Sequence, residues 1–249
     1  MIKFRTLALP LIAVLTTVSC SDNSLESGRG RMSVQLSADD STVELTRASL
    51  GLDKPTAAEF ALTIADATGE ILSEWTSIAD YDESINYNVG NYSAKATHGS
   101  TSVEAFETPC FEGIEEFTIL NDQTTPVVIN ASIANAVVKI EWSDAFKNYF
   151  TDYTFTLTTA AGTEIPFVAD ETRRAFIDPS TFRVTGTATS QTGTSVQINK
   201  EFTNIVARTL YTIKFDVNGG NVGSATITIS FNDEPVAEIP VNIELNDTI

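Results

Sequence analysis

The sequence predicts an all-β protein built as two tandem antiparallel β-sandwiches, and three observations carry that expectation. Apolar residues alternate with polar ones along many short segments, and Gly- and Asn-containing turns punctuate them at hairpin spacing. The 34 Thr residues tilt the composition toward β-branched side chains, which suit a pleated, half-buried surface better than a helix. A body of roughly 220 residues is long for one sandwich of about 100, so two in series are expected, with Greek-key connections of the transthyretin or immunoglobulin kind.

Residues 1–19 read as an export signal. Lys3 and Arg5 form a short positive region, and Leu7 to Val18 is mostly apolar. That stretch is shorter than the roughly 20 residues a membrane-spanning helix needs. Thr17-Val18-Ser19-Cys20 is similar to a bacterial lipoprotein box, with Thr17 standing where Leu is usual. On this reading the signal is cut ahead of Cys20, Cys20 is acylated, and the membrane is a partner through an N-terminal lipid anchor. Lipid on Cys20 leaves Cys110 alone, so stability is expected from the core rather than from an intramolecular disulfide. Residues 20–30, with Ser, Asn, Asp and two Gly around the single Leu25, read as a flexible tether.

From Arg31 onward the period is two. Met32, Val34 and Leu36 alternate with Ser33 and Gln35, and Phe60, Leu62 and Ile64 with Ala61 and Thr63. The pattern recurs at Tyr153-Phe155-Leu157, at Tyr211 to Val217, at Ala225 to Phe231 and at Ile239 to Leu245. Thr68-Gly69, Val89-Gly90, Gln191-Thr192-Gly193, Asn218-Gly219-Gly220 and Asn232 to Pro235 separate these strands. Only Ser143 to Phe150 looks helical, with Ser143 placed to cap its N-terminus and Phe146 and Phe150 four apart on one face. A small-residue break at Ile133 to Asn135 is the expected seam, giving an N-terminal sandwich over 31–134 and a C-terminal one over 135–249, with a single larger sandwich as the alternative.

Composition excludes several functions. With 15 basic and 33 acidic residues the chain carries −18, and −20 once residues 1–19 are removed, a field that repels nucleic acid and anionic headgroups. No catalytic residues are expected. His98 is the only imidazole, at a strand end before Gly99, and Cys110 has no basic neighbour in sequence to activate it. No metal or other cofactor is expected either, since one His and one unacylated Cys cannot build a tetrahedral zinc site. Asp216 to Asn221 offers oxygen ligands at alternate positions, but lacks the distal Glu of a calcium loop and reads as a hairpin turn. Adjacent acids such as Asp39-Asp40 and Glu115-Glu116 would point to opposite faces of a strand, not across a cleft. Trp75, Tyr81, Tyr87, Tyr92 and Trp142 are candidate stacking platforms for a glycan, and equally candidates for core packing.

Gly90 to Ala96 through Gly99, followed by Phe106-Glu107-Thr108-Pro109-Cys110-Phe111-Glu112-Gly113, resembles the lipoprotein family called domain of unknown function 4493, or DUF4493. The resemblance runs from Gly30-Arg31-Met32 through Phe60 to Gly69, on to Ala134 to Val138, and more weakly through the second half. Cys110 stands where the family more often has an aromatic. The family is similar in organisation to the fimbrillins, lipid-exported two-sandwich subunits of surface fimbriae. That implies an acylated protein of the outer membrane with a non-catalytic adhesion or fimbria-associated structural role. The partners implied are other fimbrial subunits; a glycan-binding surface module is the alternative, with surface glycans as its partners. By the same analogy an early strand would be removed after an Arg, and Arg47 is the candidate processing site; the other reading keeps Arg47 as a solvent-facing loop residue and the first strand in place.

Overall fold

The computed structural model describes residues 28–42, 50–219, 224–232 and 234–242. The first half supplies β1 (Arg29–Asp39), β2 (Ala61–Asp66), β3 (Ile71–Trp75), β4 (Tyr87–Asn88), β5 (Gly90–His98), β6 (Ala105–Phe106), β7 (Phe111–Ile119) and β8 (Thr124–Ile133). Seven of these form one sheet in the order β3-β2-β5-β7-β8-β1-β4. Alternation puts Met32, Leu62, Ile64, Ala94, Ala96, Phe111, Val127 and Ile129 on its inner face, all fully buried or nearly so. The β2–β3 hairpin closes at Gly69, whose φ of +86° suits only glycine well, and the Asp66 carboxylate accepts from the Thr68 and Glu70 N–H groups to brace it.

The second half supplies β9 (Ala136–Trp142), α1 (Asp144–Tyr149), β10 (Phe150–Thr159), β11 (Glu164–Val168), β12 (Ala175–Ile177), β13 (Phe182–Ser190), β14 (Ser195–Phe202), β15 (Leu210–Gly219), β16 (Ser224–Phe231) and β17 (Glu234–Asn242). A four-stranded sheet, β11-β10-β13-β14, and a six-stranded one, β17-β16-β15-β9-β12-β6, enclose an aromatic core. Phe155 stacks on Phe215 at 4.4 Å between centroids, and Phe146, Phe150, Tyr153 and Trp142 surround the pair. Gly186 sits opposite Phe155 because a Cβ there would lie 2.4 Å from the Thr154 carbonyl and 2.5 Å from the Phe155 ring.

The all-β, sandwich-like class expected from the sequence is the class observed, with two departures in detail. Two pairs, β1 with β8 and β9 with β15, are parallel, so the sheets are mixed rather than purely antiparallel. Parallel neighbours need a long crossover, and each of these pairs brackets most of one half of the chain. In addition β1 opens at Arg29, inside the segment expected to be a tether. Gly30 fits there because a Cβ would fall 2.2 Å from the Leu120 carbonyl, and Arg29 and Gly30 pair with β4.

The helix forms where Ser143 caps it. Ser143 Oγ accepts from the Phe146 N–H at 3.0 Å and donates to the Asp216 carboxylate at 2.5 Å. Ser143→Ala is expected to cost about 1–2 kcal/mol, read as a lower urea midpoint at unchanged slope.

The halves interlock. β6, from the first half of the chain, is the edge strand of the six-stranded sheet, and Phe106 packs edge-on against Phe167 at 4.9 Å. Beside it the Glu104 carboxylate accepts from the Thr159 hydroxyl at 2.6 Å and the Asp178 N–H at 3.0 Å. In return Val137 and Phe176, from strands of the six-stranded sheet, are fully buried in the N-terminal core.

Between β11 and β12 the Arg173 guanidinium lies 4.5 Å above the Phe106 ring and donates to both oxygens of Glu171 at 2.9 and 2.7 Å. The Arg173 side chain, above all, holds the Glu171 carboxyl down at about 2, against its ordinary 4.5. A carboxyl depressed in the folded state contributes stability that is complete above the ordinary value and lost as acid carries the pH down through the folded one. Carbon-detected NMR should therefore place the Glu171 midpoint near 2, and Arg173→Gln should move it up toward the ordinary range.

Candidate functional site at the edge of the first strand

β1 is held on one side only. It pairs with β8 in parallel over nine positions, from Arg31 opposite Thr124 to Asp39 opposite Ser132. On the other side β4 reaches only Arg29 and Gly30. Among the described residues no strand covers β1 from Arg31 to Asp39. Met32 is buried, but Val34, Leu36 and Ala38 are half-buried, with β8 on one side and, among the described residues, no strand on the other. Proteins protect exposed strand edges with charges, prolines or bulges. Met32-Ser33-Val34-Gln35-Leu36-Ser37-Ala38 contains none of these.

The strand is fastened at its ends and at a few lateral points. Near its start the Arg29 and Arg31 N–H groups donate to Asn121 Oδ1 and the Gln123 carbonyl. In the middle Tyr81 donates to the Met32 carbonyl at 3.3 Å, and Ser37 donates to Asn130 at 2.7 Å. At its end Arg208 forms an ion pair with Asp39 and donates to the Ser41 carbonyl at 2.8 Å. The Asp39 carboxyl is held below its usual value, first by the Ser41 N–H and with help from the Ser41 hydroxyl and Arg208. The next residue, Asp40, is 2 % exposed and takes Lys54 at 3.2 Å and the Leu52 N–H at 3.1 Å.

Of the residues singled out from sequence, Cys20 and Arg47 lie outside the described residues, as do Gly220 and Asn221 of the Asp216 loop. The four candidate stacking aromatics of the first half form two pairs. Trp75 meets Tyr81 edge-on at 5.1 Å and 87°, and Tyr87 meets Tyr92 at 5.7 Å and 65°. Tyr92 also stacks on Phe117 at 5.9 Å. All four belong to or pack against the N-terminal core, and burial pushes the phenols of Tyr81, Tyr87 and Tyr92 upward. Trp142 lies in the other core. His98 ends β5 with Nδ1 2.9 Å from the Glu59 carbonyl and its ring beside Phe60 and Phe111. Cys110 is buried, its thiol pushed up by burial, and its N–H donates to Asn135 Oδ1 at 2.5 Å. Nothing in the sequence pattern marks the parts played by Arg208 and Asn121, or Tyr81 as a contact to β1. Among the described residues no helix is long and apolar enough to cross a membrane.

The sequence model of the domain of unknown function DUF4493 matches residues 28–247. Among curated proteins none matches the chain. Several solved structures are similar at low identity. The fimbrial anchor protein Mfa2 from Porphyromonas gingivalis is 13% identical, with 85% of this chain and 100% of that one covered at a TM-score of 0.44. A candidate polysaccharide-binding protein (DUF1812) from Bacteroides thetaiotaomicron VPI-5482 is also 13% identical, covering 88% and 99% at 0.44. A candidate adhesin from Bacteroides ovatus is 11% identical, covering 88% and 96% at 0.41.

Proposed function

The chain belongs to the DUF4493 family, and from that membership and the bare edge of β1 we propose a cell-surface lipoprotein with a non-catalytic adhesion or fimbria-associated structural role. In this reading residues 1–19 are removed, Cys20 is acylated and holds the protein on the outer membrane, and the body acts through two β-rich units divided near residue 134. Its acidic charge keeps that body off anionic headgroups.

The observation that carries the reading is the edge of β1, which among the described residues no second strand covers from Arg31 to Asp39 and which is uncharged from Met32 to Ala38. Backbone groups along such an edge give affinity to an added strand, and alternate side chains give it specificity. Arg47 lies between Thr42 and Leu50, just past the Asp39–Arg208 clamp that ends the strand. Cleavage after Arg47 would free β1 and turn the β8 edge, with Val127, Ile129 and Ala131 beneath it, into a groove for a strand from a neighbouring subunit.

Mass spectrometry of the protein isolated from the surface of producing cells tests this. A chain beginning at Ala48 and higher-order assemblies that disappear in Arg47→Ala are the expected result. Finding only the form beginning at Cys20, with assemblies unchanged in the variant, would remove the processing step. Palmitate labelling that marks Cys20→Ala as strongly as the wild type would remove the anchor.

A further inference from the structure

We propose that β9 carries a second, shorter slot for strand addition, which takes an extended peptide of a partner protein laid antiparallel beside Lys139–Trp142. It lies in a different sheet from β1 and stands independently of the reading above.

β12 accompanies β9 only at Ala136, Val137 and Val138. Beyond Val138 the preceding chain turns away. Asp170 adopts a left-handed φ of +66°, and the Glu171 carboxylate takes both the N–H and the guanidinium of Arg173, the residue that would otherwise come opposite Ile140. On its other side β9 is fully paired with β15 as far as Trp142. Val137 donates to the Thr209 carbonyl and Ser143 to the Phe215 carbonyl, each at 2.9 Å, so odd-numbered residues face β15. Strand geometry then turns the N–H and C=O groups of Ile140 and Trp142 toward the side where β12 has ended. β12, which ends opposite Val138, supplies a partner to neither amide.

A cavity of about 440 Å³ is lined by Lys139 to Trp142 together with Lys147 and Asp170 to Thr172. Ile140 and Trp142 are 4 % and 8 % exposed, and the buried Trp142 indole N–H has no acceptor. Buried donors are nearly always paired. Two backbone groups at strand spacing that β12 leaves uncovered, on residues that line one cavity, describe the complement of an extended chain.

The side chains specify the occupant. The residue opposite Ile140 would point into the core face and be apolar, and the one opposite Trp142 would bring an acceptor for the indole. The residues opposite Lys139 and Glu141 would face outward beside that ion pair of 2.6 Å, where opposite charges stabilise cross-strand neighbours. Read antiparallel, this gives the order acceptor, basic, apolar, acidic.

The probe is therefore acetyl-Asn-Lys-Val-Glu-amide, titrated to about 10 mM into the full ¹⁵N-labelled chain, since so short a peptide binds in the millimolar range. The Trp142 indole signal is assigned with Trp142→Phe, which leaves that of Trp75. The Ile140 and Trp142 amides and the Trp142 indole should shift saturably and exchange about tenfold more slowly, while the Lys139 and Glu141 amides, already bonded to β15, stay protected throughout. The same peptide N-methylated at Val loses the donor facing the Ile140 carbonyl and should give no such response. The proposal is overturned by the absence of a saturable shift, by an equal response to the N-methylated peptide, or by an Ile140 amide as protected in the free protein as that of Glu141.

Discussion

Phe155→Ala is expected to lower stability by about 3–5 kcal/mol and to bring down both halves of the protein together. The side chain is fully buried, stacked on Phe215 and surrounded by Phe146, Tyr153 and Trp142, so its removal leaves a cavity that rigid neighbouring strands cannot fill. The loss should spread because the halves share elements. β6 belongs to the six-stranded sheet, Glu104 is bound to Thr159 and Asp178, and Val137 and Phe176 are buried in the N-terminal core. The two tryptophans report separately, Trp75 from the first half and Trp142 from the second. In urea, followed in Trp142→Phe and Trp75→Phe backgrounds, the two signals should change at one midpoint, and Phe155→Ala should move both by the same amount. A Trp75 transition that stays in place would show that the halves unfold independently.

How much of this was legible in the sequence depends on whether the cause was local. Alternation found strands wherever one face is buried, as in Met32-Val34-Leu36 and Tyr211 to Val217, because the period itself reports burial. Ser143 marked its helix because a cap acts within three residues. The parallel partners of β1 and β9 were hidden, since alternation says which face is inward and nothing about which strand lies alongside. β6 was hidden by its length, two residues that carry no period. The clamps were hidden by distance: Glu104 meets a hydroxyl 55 positions away, and Arg208 a carbonyl 167 positions away. From sequence the aromatics were balanced between sugar platform and core. In the structure the four of the first half form edge-on pairs against the N-terminal core, with Tyr81 reaching the β1 backbone, and Trp142 lies in the other core.

Met32→Asp is expected to detach β1 at neutral pH while leaving the rest of the fold in place. Met32 is fully buried, whereas Val34, Leu36 and Ala38 are only half-covered, so this side chain is the strand's deepest hold on the core. A carboxylate cannot stay charged there. Keeping it protonated requires raising its pKa by about 3–5 units, at roughly 1.4 kcal/mol for each, a penalty that falls entirely on the docked state. The rest of the strand has to meet it with lateral bonds to Tyr81 and Asn130 and the clamp at Arg208. A group whose pKa is raised in the docked state favours docking below its ordinary pKa near 3.9 and opposes it above, so β1 should return as the pH approaches 4. At pH 7 the variant should be cut by proteases within Arg29–Asp39 and should self-associate, because Val127, Ile129 and Ala131 of β8 lose the neighbours Val34, Leu36 and Ala38. Adding a synthetic peptide of residues 29–39 with Met at position 32 should restore the monomer. A variant that stays monomeric and protease-resistant at pH 7 would mean that β1 contributes nothing to covering β8, and strand exchange at that edge would lose its physical basis.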